Sequence, residues 1–218
     1  MLSILALKGG AFHAILVTML AGAADESVMV GRFSTSDIAN WQTQVFKGET
    51  RYAIDDHSGR RALFAESRGT ASGRYREIRI DLNQTPWLNW SWRVDQVLNG
   101  INERSKAGDD YPARVYVVVS GGAVFWNTRS LVYVWSSYQP VGATWDNAFT
   151  RNARVMALRS GTGETGRWVS EKRNIRADFR QLFGEDIDAI DAVALMTDTD
   201  NSGQSAAAWY GDIYFTAK

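Results

Sequence analysis

The chain has 218 residues, a formal net charge of zero at pH 7 and no cysteine. This length predicts a single globular domain, the zero net charge gives no field that would attract nucleic acid, and the lack of cysteine excludes disulfides, thiolate catalysis and cysteine-ligated metals. The chain contains nine tryptophans, a high number for its length. Core packing of a β protein accounts for most of them, and two or three are candidates for stacking on a sugar ring.

The first 23 residues have the pattern of a secretory signal peptide. Lys8 precedes an apolar run over residues 9–20, and Ala21-Gly22-Ala23 matches the small-residue cleavage pattern. We therefore expect residues 24–218 to form one mature domain that is periplasmic or secreted and not inserted in a membrane. The alternative is an uncleaved amino-terminal anchor, for which the apolar run is short.

The rest of the chain consists mainly of short segments with apolar residues at every second position, which is typical of strands. Strands are predicted at residues 28–33, 41–46, 50–54, 61–65, 74–82, 87–95, 113–119, 131–135, 153–158, 167–173, 189–196 and 208–215. One helix is predicted over residues 175–183, because Asn174 can cap its start and Gly184 can end it. The pattern predicts an all-β fold, a two-sheet antiparallel β-sandwich of jelly-roll type with this one short helix.

The segment Gly108 to Val119 combines an acidic turn with the most regular strand pattern in the chain. Asp109 and Asp110 precede the strand, and Arg114 and Tyr116 point away from its valine face. These residues predict either an internal ion pair, with Asp109, Asp110 or Asp212 as the partner of Arg114, or the polar rim of a ligand site. The candidate ligand-binding residues are Asp109, Asp110, Arg114, Tyr116, Trp135 and Asp212.

Residues 198–203 resemble the opening of a calcium-binding loop. Asp198, Asp200 and Ser202 supply oxygens at positions 1, 3 and 5, and Gly203 follows at position 6. Position 12 is Trp209 instead of glutamate, so the segment is not an EF-hand. The alternatives are a Ca²⁺ site completed by Asp212 or Asp109 and a tight turn without metal.

No catalytic residue is predicted. His57 is the only histidine beyond the predicted signal segment and lies in a turn between two strands, where it has no evident triad partners. A glycosidase would need two carboxylates across a cleft, and no glutamate has an evidently buried pattern.

Several motifs follow one another in the order and spacing of a known bacterial family. They are Leu88-Asn89-Trp90-Ser91-Trp92-Arg93-Val94, Gly108-Asp109-Asp110, Ala113-Arg114-Val115-Tyr116-Val117, Leu131-Val132-Tyr133-Val134-Trp135, Trp168, Arg173-Asn174-Ile175, Asp178, Phe183-Gly184, Met196 to Gly203 and Ala208 to Ile213. The chain from about Val28 onward resembles the DUF3047 family of unknown function. The resemblance implies an exported β-sandwich, broadly similar to galactose-binding-like and carbohydrate-binding modules, and assigns no catalytic residue.

Three functions follow from these observations. The first is a non-catalytic binding module of the cell envelope that recognises a saccharide or polysaccharide. The second is a polysaccharide-degrading enzyme that uses an aspartate pair, with or without calcium. The third is a structural β-sandwich that binds a partner protein. The burial of Trp90, Trp92, Trp135 and Trp209 distinguishes among them, because a sugar platform requires exposed rings.

Overall fold

A computed structural model of the protein describes residues 27–121 and 128–218. The predicted signal segment lies outside this part of the chain. The described residues form two β-sheets that enclose one main hydrophobic core.

The first sheet has β6 at its centre. Its strands are β1 (Ser27–Gly31), β3 (Arg51–His57), β4 (Arg60–Arg68), β6 (Trp87–Val94), β11 (Val169–Asn174), β13 (Ser205–Tyr210) and β14 (Ile213–Thr216). One edge of β6 pairs with β11, and the other pairs with β14 and β13, which lie end to end. The sheet continues from β13 to β4 and β3, and from β14 to β1.

The second sheet carries the candidate site. Its strands are β2 (Gln42–Lys47), β5 (Ala71–Asp81), β7 (Tyr111–Val119), β8 (Arg129–Ser136), β9 (Thr144–Asp146), β10 (Ala153–Ser160) and β12 (Ala189–Asp198). They lie in the order β2-β5-β12-β7-β8-β10-β9. All neighbours are antiparallel except β8 and β10, which are parallel.

The core forms because each central strand turns alternate apolar side chains inward. Leu88, Trp90, Trp92 and Val94 of β6 are buried, and they face the valine side of β7. Trp92 meets Trp135 at a ring-centroid distance of 6.1 Å. All four of the tryptophans named above are buried, at 5% exposure or less, so none of them provides a sugar platform.

The structure confirms the two-sheet β-sandwich. The helix, α1 (Ile175–Phe183), begins and ends where the sequence predicts, with the Asn174 side chain accepting from the Ala177 amide and Gly184 at φ 71°. Two short 3-10 helices occupy residues 33–35 and 106–108. Within the described residues, no helix has the length and apolar character needed to cross a bilayer.

Three details of the strand prediction are wrong. The predicted strand 208–215 is two strands, because a Cβ at Gly211 would lie 2.2 Å from Ser91 Oγ, and this close approach interrupts the run. The short strand β9 has no counterpart among the predicted strands. The parallel pairing of β8 with β10 departs from an entirely antiparallel sandwich.

Candidate functional site

A trough runs along the outer face of the second sheet. It has a volume of about 500 Å³, which is within the usual range for small-molecule sites. Its floor consists of Gly73 of β5 together with Ala192, Ala194 and Met196 of β12. Gly73, Ala192 and Ala194 create the depression, because Tyr75 of β5 and Tyr116 of β7 beside them are much larger.

Two tyrosines form the walls of the trough. Ala194 pairs with Tyr75 of β5 on one side and with Tyr116 of β7 on the other. Since neighbouring strands lie about 4.8 Å apart, the two tyrosines are separated by two strand spacings, or roughly 10 Å between their Cα atoms. Phe46 on the edge strand β2 extends the aromatic lining and is 67% exposed.

Polar groups are few in the trough. Tyr75 donates its hydroxyl to Gln42 Oε1 at 2.9 Å, and the Tyr116 hydroxyl contacts Met196 Sδ at 3.7 Å. Gln44 and Thr128 add an amide and a hydroxyl. Among the described residues that line the trough, Glu77 alone has a carboxylate.

A mostly buried group of charged residues, which we call the acidic corner, lies beside the trough, at the start of β7 and the end of β12. The acidic corner consists of Asp109, Asp110, Arg114, Asp198 and Asp200. Arg114 lies on the outward face of β7, two residues before Tyr116. Asp198 is the last residue of β12, two residues after Met196. Arg114, Asp109, Asp110 and Asp198 are all buried.

Arg114 is the centre of the acidic corner. Its Nε donates to Asp198 Oδ1 at 2.8 Å, and its Nη2 contacts Asp198 Oδ2. Its Nη1 lies 3.4 Å from Asp109 Oδ2, which also accepts from Asn147 Nδ2 at 3.0 Å. The prediction of an internal ion pair is therefore confirmed, with Asp198 as the main partner in place of Asp110 or Asp212.

The Asp110 carboxylate and the main chain of Asp200 hold the turn that follows β12. Asp110 accepts the backbone N–H groups of Asn201 at 3.2 Å and Ser202 at 2.6 Å. Lys47 donates to the carbonyl oxygen of Asp200 at 2.7 Å. The segment 198–203 thus has the hydrogen bonds of a tight turn that is tied to the start of β7.

The structure also brings together the oxygens of a potential metal site. Carboxylate oxygens of Asp110, Asp198 and Asp200 lie within 4.8 Å of one another. Both oxygens of Asp198 are engaged by Arg114, and both oxygens of Asp110 accept hydrogen bonds from Asn201 and Ser202. A cation would have to displace these contacts, so the residues fit a hydrogen-bonded turn better than a Ca²⁺ site.

Burial perturbs the protonation of this group. Burial, with the nearby Asp110 and Asp109 carboxylates, raises the pKa of Asp198 to about 7 against the opposing effect of Arg114. Burial and the Asp110 charge also raise the pKa of Asp200. The carboxylates of Asp198 and Asp200 thus share one small volume, where placing several negative charges is unfavourable.

The other predicted ligand-binding residues lie apart from one another. Tyr116 forms a wall of the trough. Trp135 is fully buried in the core, where its Nε1 donates to the Gly161 carbonyl oxygen at 3.2 Å. Asp212 lies in the short connection between β13 and β14 and accepts from the Ser34 amide at 2.8 Å and the Ser34 hydroxyl at 2.6 Å.

Two features escape the sequence analysis. Glu103 is fully buried, although no glutamate has an evidently buried sequence pattern; it accepts from Ser136 Oγ at 2.5 Å and the Ser137 amide at 2.6 Å. It lies in a polar connection without periodicity, which gives no signal of burial. Tyr75 and Ala194 become a site only through strand register, which local patterns do not specify.

Comparison with solved structures gives distant likenesses. TmCBM61 in complex with beta-1,4-galactotriose has 12% identity and a TM-score of 0.42, over 86% of this chain and 94% of that chain. A mutant carbohydrate binding module of family 29 has 7% identity and a TM-score of 0.41, over 88% of this chain and 92% of that chain. A cellulase derived from Cel12A of Rhodothermus marinus has 12% identity and a TM-score of 0.45, over 87% of this chain and 96% of that chain. These values are too low to carry an argument about function.

Comparison with protein families is more specific. A search among curated proteins gave no match. The family model described as "Protein of unknown function (DUF3047)" matches residues 39–214, which include the trough, the acidic corner and every strand except β1 and the end of β14. The chain therefore belongs to the DUF3047 family.

Proposed function

We propose that the protein is an exported, non-catalytic module that binds a saccharide in the trough. The observation that carries the proposal is the pair of tyrosines on either side of Ala194. Two aromatic walls about two strand spacings apart leave room for a pyranose ring between them. The apolar faces of such a ring can pack on the tyrosines, while its hydroxyl groups reach Gln44, Glu77 and Thr128.

The lining supports binding better than hydrolysis. A glycosidase uses one carboxyl group as acid and a second as nucleophile or base. The described lining of the trough offers Glu77 without a second carboxylate, and the nearby Asp198 is engaged by Arg114. The trough is also open along a sheet face, which suits a chain of sugar units.

The export part of the proposal comes from the amino-terminal sequence. The apolar run at residues 9–20 and the small residues at 21–23 match a cleavable signal. Cell fractionation and amino-terminal sequencing of the protein test it. A mature chain beginning near residue 24 outside the cytoplasm is the expected result, and a full-length chain in the cytoplasm would contradict it.

Saccharide binding can be tested by isothermal titration calorimetry after a screen of polysaccharides and a glycan array. Tyr75→Ala removes one wall, and Ala194→Leu fills the floor without removing any polar group. We expect each change to weaken binding about tenfold or more, since a loss of about 1.4 kcal/mol has that effect. Tyr214→Ala is the matched control, because Tyr214 is a partly exposed tyrosine on the first sheet.

The outcomes separate the hypotheses. Equal affinity of Tyr75→Ala, Ala194→Leu and Tyr214→Ala for a bound glycan would place the ligand elsewhere. Failure to bind any glycan would favour a protein-interaction role. That alternative has its own support in the edge strand β2, where Val45 and Phe46 are 44% and 67% exposed and one strand edge is unpaired among the described residues.

A further inference from the structure

A second cavity lies at the end of the sandwich where β8 and β10 begin. Its volume is about 600 Å³, and its lining includes Arg129, Arg151 and Arg154. We call it the arginine cleft. Glu185, just beyond α1, is the one carboxylate among its described lining residues, so the lining has more positive than negative charge.

The parallel pairing of β8 and β10 brings these arginines together. Both strands start at the same end of the sheet, with Arg154 opposite Leu131. Arg129 is two residues before Leu131, and it therefore lies on the same face of its strand. Leu131 faces the core, so the side chains of Arg129 and Arg154 extend toward the inner side at the margin of the sandwich.

The arginines are only partly neutralised. Arg129 Nη1 donates to Glu185 Oε1 at 2.6 Å, and Arg154 Nη1 pairs with Asp146. Arg151 is exposed and has no charged partner among the described residues. With Asp146 included, three arginines face two carboxylates.

Two donors in the arginine cleft have no acceptor. The Nε atoms of Arg129 and Arg154 are both buried and lack a hydrogen-bond partner within the described structure. A buried donor without a partner is costly, and more so when it is charged. The two side chains are nevertheless 31% and 29% exposed, so an anion in the cleft can contact the guanidinium groups through their exposed atoms.

We propose that the arginine cleft binds an oxyanion, that is, a phosphate, sulfate or carboxylate group. The guanidinium fork matches the geometry of such groups and donates two parallel hydrogen bonds to them. Arg129 and Arg154 supply partly exposed guanidinium groups that Glu185 and Asp146 hold in place, and the exposed Arg151 supplies the uncompensated charge. The proposal does not depend on the ligand of the trough.

Calorimetric titration with inorganic phosphate and with sulfate tests the proposal at constant ionic strength in sodium chloride. An oligogalacturonate is titrated in parallel, because the oxyanion could be free or part of a polymer. We expect saturable binding of at least one of the three, and we expect Arg151→Ala to weaken it about tenfold through the loss of one charge-assisted contact.

Arg167→Ala is the matched control. Arg167 is also exposed and lies near the opposite end of β10, so its replacement changes the net charge equally without touching the cleft. Binding of phosphate or sulfate identifies a free anion as sufficient, whereas binding of the oligogalacturonate alone identifies a polymer-borne carboxylate; both support the proposal. No saturable binding in any titration, or equal weakening by Arg151→Ala and Arg167→Ala, overturns it.

Discussion

The acidic corner and the trough occupy the same face of the same strands, yet they use their side chains in opposite ways. Arg114 and Tyr116 are two residues apart on β7, and Asp198 and Met196 are two residues apart on β12. In the acidic corner all of the charged residues except Asp200 are buried, and Arg114 binds Asp198 and Asp109. In the trough the side chains are uncharged apart from Glu77, and they leave an open cavity.

The difference shows that residues with strong chemistry need not mark a ligand site. A buried charge must find partners inside the protein, because transfer from water is otherwise too costly. Arg114 and Asp198 satisfy each other and have little hydrogen-bonding capacity left for a ligand. Tyr75 and Ala194 are uncharged and need no such partners inside the protein. The space above them therefore stays open to a ligand.

Replacing Arg114 with methionine should have the largest effect on stability. The change leaves the Asp198 and Asp109 carboxylates buried without a cation, which costs about 3–5 kcal/mol of the free energy of unfolding. Urea denaturation at pH 8 measures it. Arg79→Met is the matched control, since Arg79 contacts Asp191 at 2.7 Å on the same sheet but is 74% exposed, and we expect a loss below about 1 kcal/mol.

A loss from Arg114→Met as small as that from Arg79→Met would contradict a buried role for Arg114. The double variant Arg114→Met with Asp198→Leu refines the experiment. It removes the main unpaired carboxylate together with its partner, and it should therefore be more stable than Arg114→Met alone.

The pH dependence of stability should reveal Asp198. Burial raises its pKa in the folded protein to about 7, whereas an unfolded aspartate titrates near pH 3.9. Folding therefore takes up a proton in this interval, so this group lowers the free energy of unfolding as pH rises from about 4 to about 7. Urea denaturation of Asp198→Asn across this range should lack that slope.

Asp186 provides a control of opposite sign. Hydrogen bonds from Arg176 and Arg180 lower the pKa of Asp186. The stability that Asp186 contributes to the folded protein is therefore present above its unfolded pKa and is lost as pH falls below about 4. Asp186→Asn should leave the slope between pH 4 and 7 unchanged. The same slope in wild type and Asp198→Asn would show that Asp198 does not titrate there.

Tyr75→Ala should affect stability much less than Arg114→Met. Tyr75 is partly exposed, and its one described hydrogen bond, to Gln42, is also exposed. We expect a loss below about 1 kcal/mol, as is usual for substitutions outside the core, measured by the same urea denaturation. A loss as large as that of Arg114→Met would show that the trough wall is part of the core.

Calcium should produce the smallest effect. Arg114, Asn201 and Ser202 already engage the oxygens of Asp198 and Asp110. We therefore expect the same Tm in excess Ca²⁺ and in excess chelator. A rise in Tm with Ca²⁺ that disappears in Asp200→Asn would instead identify the turn as a metal site.

Local patterns predict much of the fold because they report directly on the backbone. Period-two alternation places the central strands, and Asn174 and Gly184 define both ends of α1. The interruption at Gly211 also has a signal, since a glycine inside a strand often marks a close backbone approach. The sequence does not show that Ser91 is the group that approaches it.

The trough and the arginine cleft depend on which strands are neighbours. Tyr75, Tyr116 and Ala194 lie far apart in the chain, and Arg129 and Arg154 meet because β8 and β10 are parallel. Only the pairing register brings each set together, and no local property of these residues encodes it. The buried Glu103 is likewise defined by the Ser136 and Ser137 groups that surround it.

The pairing of β1 with β14 has a consequence for the order of folding. Val28 lies opposite Phe215, so the first described strand completes its sheet with the last. β1 therefore has no strand partner until β14, at residues 213–216, has been made. Contacts between residues so distant in sequence form late and slow the overall reaction, so we expect β1 to be among the last strands to dock.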